Sequence, residues 1–110
     1  MNNNIQNLLP HTSFYVLFAL SLKPRHGYEL LKQIEQDAEG AVKIGAGALY
    51  GTLKRLDNDN LVEEMPFEGD PRRRYYRLTA KGWDRLQNDV AYYSRITELA
   101  AERRILPNRP

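Results

Sequence analysis

Residues 41–60 read AVKIGAGALYGTLKRLDNDN, and their pattern divides into a glycine-bearing turn and a one-sided helix. At 100° per residue, Leu49, Leu53 and Leu56 fall on one side, while Gly47, Gly51, Lys54 and Asn58 fall opposite and Tyr50 and Arg55 flank them. The first set reads as core and the second as a bare outer face. A glycine inside a helix costs about 1 kcal/mol relative to alanine, so Gly51 implies that bulk is unwelcome on that face. With a third helix over 47–60, residues 41–47 serve as the turn of a helix-turn-helix.

Upstream, residues 27–40 fit a second helix. Tyr28, Leu31, Ile34 and Glu35 share one side with Leu30 beside them, Glu29 complements the dipole in the first turn, and Gly40 closes the C-terminus. Residues 12–23 are too densely apolar for a surface helix and predict a mostly buried first one, stopped by Pro24. The longest apolar stretch, residues 14–22, is far below the roughly 20 residues of a membrane helix. The opening MNNNIQNLLP has no Lys or Arg, so no secretory leader is expected, the cytoplasm is the default location, and residues 1–10 are expected to be flexible.

Downstream, residues 61–67 and 72–78 are short extended segments joined by the polar turn 68–71, a hairpin suited to be a wing. Thr79 suits an N-cap, and from Trp83 the series Leu86, Val90, Tyr93, Thr97 and Ala100 advances by alternating threes and fours, a coiled-coil-like stripe. The fold class expected is mainly α with a small β-hairpin. Residues 11–79 form a winged helix-turn-helix, 80–105 a long C-terminal dimerisation helix, and 106–110 a tail.

With 110 residues, 42% hydrophobic and 27% charged, the chain has the size and composition of one soluble domain. Cysteine is absent, which removes disulfides and thiolate metal sites. The net charge of +2 is too small to argue nucleic-acid binding, but its distribution is uneven. Residues 41–82 hold eight basic and six acidic side chains, and Arg72, Arg73, Arg74 and Arg77 lie within eight residues of one another. No nucleophile–base pair stands out, and His26 and His11 have no companion ligands for a metal, so neither an enzyme nor a cofactor is expected.

Three blocks then occur in order: His26-Gly27-Tyr28-Glu29; Gly47-Ala48-Leu49-Tyr50 leading into Leu53-Lys54-Arg55-Leu56; and Arg73-Arg74-Tyr75-Tyr76-Arg77-Leu78-Thr79 followed by Gly82. Together they closely resemble the PadR family of bacterial transcriptional regulators, in its short subfamily. The resemblance implies a homodimer joined through the last helix, acting on double-stranded DNA. It also implies that an aromatic partway along that helix faces its symmetry mate across a pore accepting flat hydrophobic effectors. Counting from Gly82 places Tyr93 there, with Tyr92 and Ile96 as neighbours. Gly51 departs from the family, which often has proline or a larger residue at that place.

The candidate DNA contacts are Tyr50, Gly51, Lys54 and Arg55 on the third helix, Arg72, Arg73 and Arg74 on the wing, His26 at the start of the second helix, and Lys43 in the turn. Lys54 and Arg55 also fit an ordinary solvated face, and Tyr50 is divided between core packing and DNA. The His26 block is mainly structural, with Tyr28 packing against the third helix, although amides at that helix start suit a phosphate. Strand alternation puts Arg72, Arg74 and Tyr76 on one side of the hairpin and Arg73, Tyr75 and Arg77 on the other. Not all four arginines can serve one surface, and Arg77 is expected to pair with Glu63 or Glu64. Trp83, Leu86, Val90, Tyr93, Thr97 and Ala100 are read as dimer interface, with core or a cavity wall as alternatives for the aromatic and aliphatic ones. The functional expectation is a repressor on a palindromic operator, released by an aromatic effector. The rival is a winged-helix protein–protein interaction module whose arginines only solubilise the hairpin.

Overall fold

The computed structural model describes residues 7–66, 69 and 73–107. Helices α1 (His11–Leu20), α2 (Gly27–Ala38) and α3 (Ala46–Asn58) precede strands β2 (Val62–Met65) and β3 (Tyr75–Leu78), and α4 (Ala80–Glu102) closes the order. A two-residue strand β1 (Arg25–His26) lies between α1 and α2 and completes an antiparallel sheet of order β1-β3-β2. The expected mainly helical winged helix-turn-helix with a long last helix is therefore present, with a third strand added to the hairpin.

Helix α1 is the centre of the core, packing against α2, α3 and α4. Val16, Leu17, Ala19 and Leu20 are buried on it, which is what its near-continuous apolar sequence requires. It ends at Leu20, four residues before Pro24, where the Ser21 hydroxyl donates to the Phe18 carbonyl at 2.6 Å and closes the last turn. The Arg25 guanidinium, almost wholly buried, donates from Nε to the Ala19 carbonyl at 3.2 Å. That bond fixes the turn out of α1 and brings β1 onto β3, where Arg25 lies opposite Tyr76 and His26 opposite Tyr75.

Helix α2 buries Leu30, Ile34 and Ala38, and closes with Glu39 at φ 50° and Gly40 at φ 80°, a left-handed pair that glycine adopts without a Cβ penalty. Tyr28 does not pack against α3 as expected. It is exposed, its ring covered by the Lys32 ammonium 5.1 Å from the centroid, because the buried arc of α2 runs through Gly27, Leu30, Ile34 and Ala38, one residue round from the arc read from the sequence.

Thr79 caps α4, accepting from the Gly82 amide at 2.9 Å while its own hydroxyl donates to the Asn60 carbonyl at 2.6 Å. Helix α4 therefore starts against the end of α3. Of residues 1–10, expected to be flexible, 7–10 are described and two of them hydrogen-bond to α4. The Leu9 amide donates to Asp89 Oδ2 at 2.9 Å, and Arg85 donates to the Asn7 carbonyl. Asp89 is fully buried, so a carboxylate on α4 holds the entry to α1 in place.

Candidate nucleic-acid interface

The inner face of α3 consists of Leu49, Thr52, Leu53 and Leu56, all buried, and Gly45 and Ala46 begin the helix without a side-chain cap. Tyr50, Lys54 and Arg55 are exposed on the other side. Arg55 is not loose: its Nη2 donates to the buried Thr52 Oγ1 at 3.2 Å, holding the guanidinium along the helix. A Cβ built on Gly51 would meet nothing nearer than Arg55 Nη1 at 4.0 Å. Among the described residues nothing excludes a side chain there.

Tyr50 is placed by a second glycine. A Cβ on Gly27 would lie 2.3 Å from the Tyr50 hydroxyl and 2.8 Å from Cζ, so the phenol rests against bare backbone at the start of α2. This close approach connects the His26-Gly27 block to the Leu49-Tyr50 block, which the sequence shows only as separate motifs. Tyr50 remains about half exposed and is thus both packed and presented.

His26 has the role of an N-cap. Its amide donates to Glu29 Oε1 at 3.2 Å, its ring lies 3.5 Å from the same oxygen, and it meets the Tyr75 ring edge-on at 5.2 Å between centroids. The Glu29 carboxylate thus closes a capping box with His26 at the α2 N-terminus, where the sequence also suggested a phosphate. Lys43 is exposed in the turn between α2 and α3.

On the wing the register pairs Glu63 with Arg77 and Glu64 with Tyr76. Arg77 Nε donates to Glu63 Oε2 at 3.0 Å, one of the two partners expected of it. Arg74 Nη1 lies 3.5 Å from Glu64 Oε1, an ion pair the sequence did not assign to Arg74. Alternation then separates the arginines. Arg74 joins Tyr50, Lys54, Asp57, Glu64 and Tyr76 around a groove of about 500 Å³ between α3 and the wing. Arg73 lines a different cleft with His26, Tyr28 and Lys32 at the start of α2. Arg72 lies outside the described residues. Burial pushes the Tyr76 phenol above its ordinary pKa of 10.0, with Glu64 adding to the rise and Arg74 opposing it.

The stripe on α4 divides in two. Leu86, expected at the dimer seam, is buried in the core of its own chain, because Gly82, Leu86 and Asp89 form the inner face of the helix. Tyr93 and Ala100 continue that line half-buried, whereas Trp83, Val90 and Thr97, seven residues apart, are exposed. The Tyr93 ring meets Phe14 of α1 edge-on at 5.3 Å and Tyr92 at 5.6 Å. Burial, and then the Asp89 charge, raises its phenol pKa. Tyr93, Phe14, Tyr15, His11 and Val42 surround a cleft of about 420 Å³, and Ile96 lies exposed one turn further along α4.

Among the described residues no group of three His, Asp or Glu could hold a metal, and no helix is long and apolar enough to cross a membrane. The model of the transcriptional regulator PadR-like family matches residues 16–88, which spans all three motif blocks and most of the core. The chain belongs to the PadR-like family of transcriptional regulators. The family is one of DNA-binding transcription regulators and not of enzymes.

A PadR family transcription regulator from hypervirulent Clostridium difficile R20291 is 26% identical, with a TM-score of 0.70 over 84% of this chain and 97% of that one. The RosR structure from H. salinarum is 25% identical, with a TM-score of 0.65 over 86% of this chain and 92% of that one. By sequence, an uncharacterised 37.1 kDa protein of transposon TN4556 from Streptomyces fradiae is 37% identical over 82 residues. The aligned region is 74% of this PadR-like chain but only 23% of that relative.

Proposed function

We propose that this PadR-like chain is a homodimeric, sequence-specific DNA-binding repressor. Two copies of α3 enter successive major grooves about 34 Å apart on a palindromic operator, while the wings meet the flanking phosphates. The observation that carries the reading is the groove where Tyr50 and Lys54 of α3 and Arg74 of the wing stand together, beside a helix face on which Gly51 leaves open space. Duplex DNA is a partner that needs close backbone approach on one side and cations on the other. Arg73 at the wing adds a further phosphate contact.

Salt dependence tests this directly. Binding that neutralises phosphates releases counterions, so affinity for a duplex from the chain's own upstream region should fall steeply with salt. Arg73→Ala should lower the log–log slope by about one. An unchanged slope would remove Arg73 from the interface, and binding insensitive to salt would favour a protein–protein module.

The same proposal includes an aromatic effector received around Tyr93, Tyr92 and Ile96. The ring-lined cleft between α1 and α4 supports it, since Tyr93 offers an aromatic wall with a polar tip. Release of DNA requires that the effector favour a different separation of the two reading heads, because equal affinity for both states shifts nothing.

A further inference from the structure

The wing of this protein carries its own competitor for phosphate. The groove between α3 and the wing holds two cations, Lys54 and Arg74, and two acids, Asp57 and Glu64, so it is close to neutral before anything enters it. Glu64 is paired with Arg74 at 3.5 Å, and the side chains keep 43% and 66% of their exposure. An ion pair so open to water is weakly held and strongly screened. It can be exchanged for another anion at the same guanidinium. The Tyr76 phenol lines the same groove as Arg74.

Glu63 supplies the contrast. It belongs to the same strand and pairs with Arg77 at 3.0 Å, but alternation turns it to the other face of the hairpin, away from α3. The two glutamates are neighbours in sequence and identical in charge, and only Glu64 borders the groove.

Resting on the DNA-binding reading above, we propose that Glu64 is a displaceable counter-charge. A DNA phosphate passing between α3 and the wing must take Arg74 away from Glu64, and this exchange restrains the protein's affinity for DNA of any sequence. Arg74 is the cation through which the restraint acts, and Glu64 is its positioning partner in the unbound protein.

The test compares Glu64→Gln with Glu63→Gln, which change the net charge equally, in fluorescence-anisotropy binding to a duplex of arbitrary sequence at several salt concentrations. Glu64→Gln should bind up to about fivefold more tightly per protomer than Glu63→Gln at low salt, the ratio expected for removing an exposed ion pair. Its log–log slope should steepen by up to about 0.9 per protomer, because no released carboxylate then takes up a cation to offset the counterion that Arg74 frees from the phosphate. In an Arg74→Ala background the advantage should vanish, since the exchange has lost its cation. If the wild type binds with steep salt dependence and the two glutamine variants behave alike, the counter-charge idea is wrong and the DNA-binding reading survives. If the wild type binds no duplex even in dilute buffer, both fall together.

Discussion

The glycines of this chain act in opposite directions, and the distances around them say which is which. A Cβ on Gly82 would lie 2.0 Å from the Leu61 carbonyl oxygen and 3.0 Å from its carbon, both backbone atoms that cannot step aside. Gly82→Ala should therefore lift the start of α4 off the end of α3 and destabilise the fold by about 3 kcal/mol, read by urea denaturation. Gly51→Ala should do the reverse, adding up to about 1 kcal/mol through helix propensity because open space surrounds the site. That stabilised variant should nonetheless bind DNA more weakly, and undiminished binding would show that the bare face is not pressed against the duplex. Tyr76 gives a pH signature. Its folded pKa is raised, so the folded state holds the phenolic proton more tightly than the unfolded chain. The stability this contributes is complete below the unfolded value near 10 and is lost as pH rises through the folded value. Tyr76→Phe should flatten the decline in stability above about pH 10, provided the decline is compared at equal ionic strength.

Elements were legible in the sequence where one strong local pattern decided them. The one-sided leucines of α3, the Thr79 cap of α4 and the Gly40 stop of α2 each rest on a signal contained within one or two turns. What could not be read depended on partners distant in sequence. Strand β1 is two residues long and exists because Arg25 reaches back to Ala19 and pairs across to Tyr76. Tyr50 meets Gly27 only after α2 and α3 have packed, and Leu86 points inward because of how α4 docks, which a three-four spacing alone leaves open. The docking of residues 7–10 was equally hidden, since it rests on Asp89 some eighty positions away. Asp89→Ala should cost about 3 kcal/mol, because it strands the Leu9 amide and removes the buried carboxylate that lies 3.8 Å from Arg85 Nε. Hydrogen exchange at Leu9 should accelerate at the same time. Exchange as slow as in the wild type would mean that something other than this carboxylate secures the segment.

At the scale of the whole molecule, α4 is the element whose surface is least accounted for within one protomer. Its 23 residues extend roughly 34 Å, and the residues buried on it, Gly82, Leu86 and Asp89, all lie in its first half. Trp83 and Val90 lie one heptad apart, each 43% exposed, with Thr97 continuing the line and Ile96 beside it. Apolar side chains repeated at seven residues on an exposed helix are what a second copy of the same helix can cover. Val90 is the discriminating position, because it is exposed in the single chain and central on that line, whereas a charge at Leu86 would simply break the core. Val90→Asp should leave thermal unfolding of the protomer nearly unchanged while shifting sedimentation from two chains to one at micromolar concentration. Operator affinity should then fall by about 10²- to 10⁴-fold, the loss expected when two linked reading heads become independent. A variant that remains dimeric would move the seam away from Val90, and a wild type that sediments as one chain would reject the two-headed architecture.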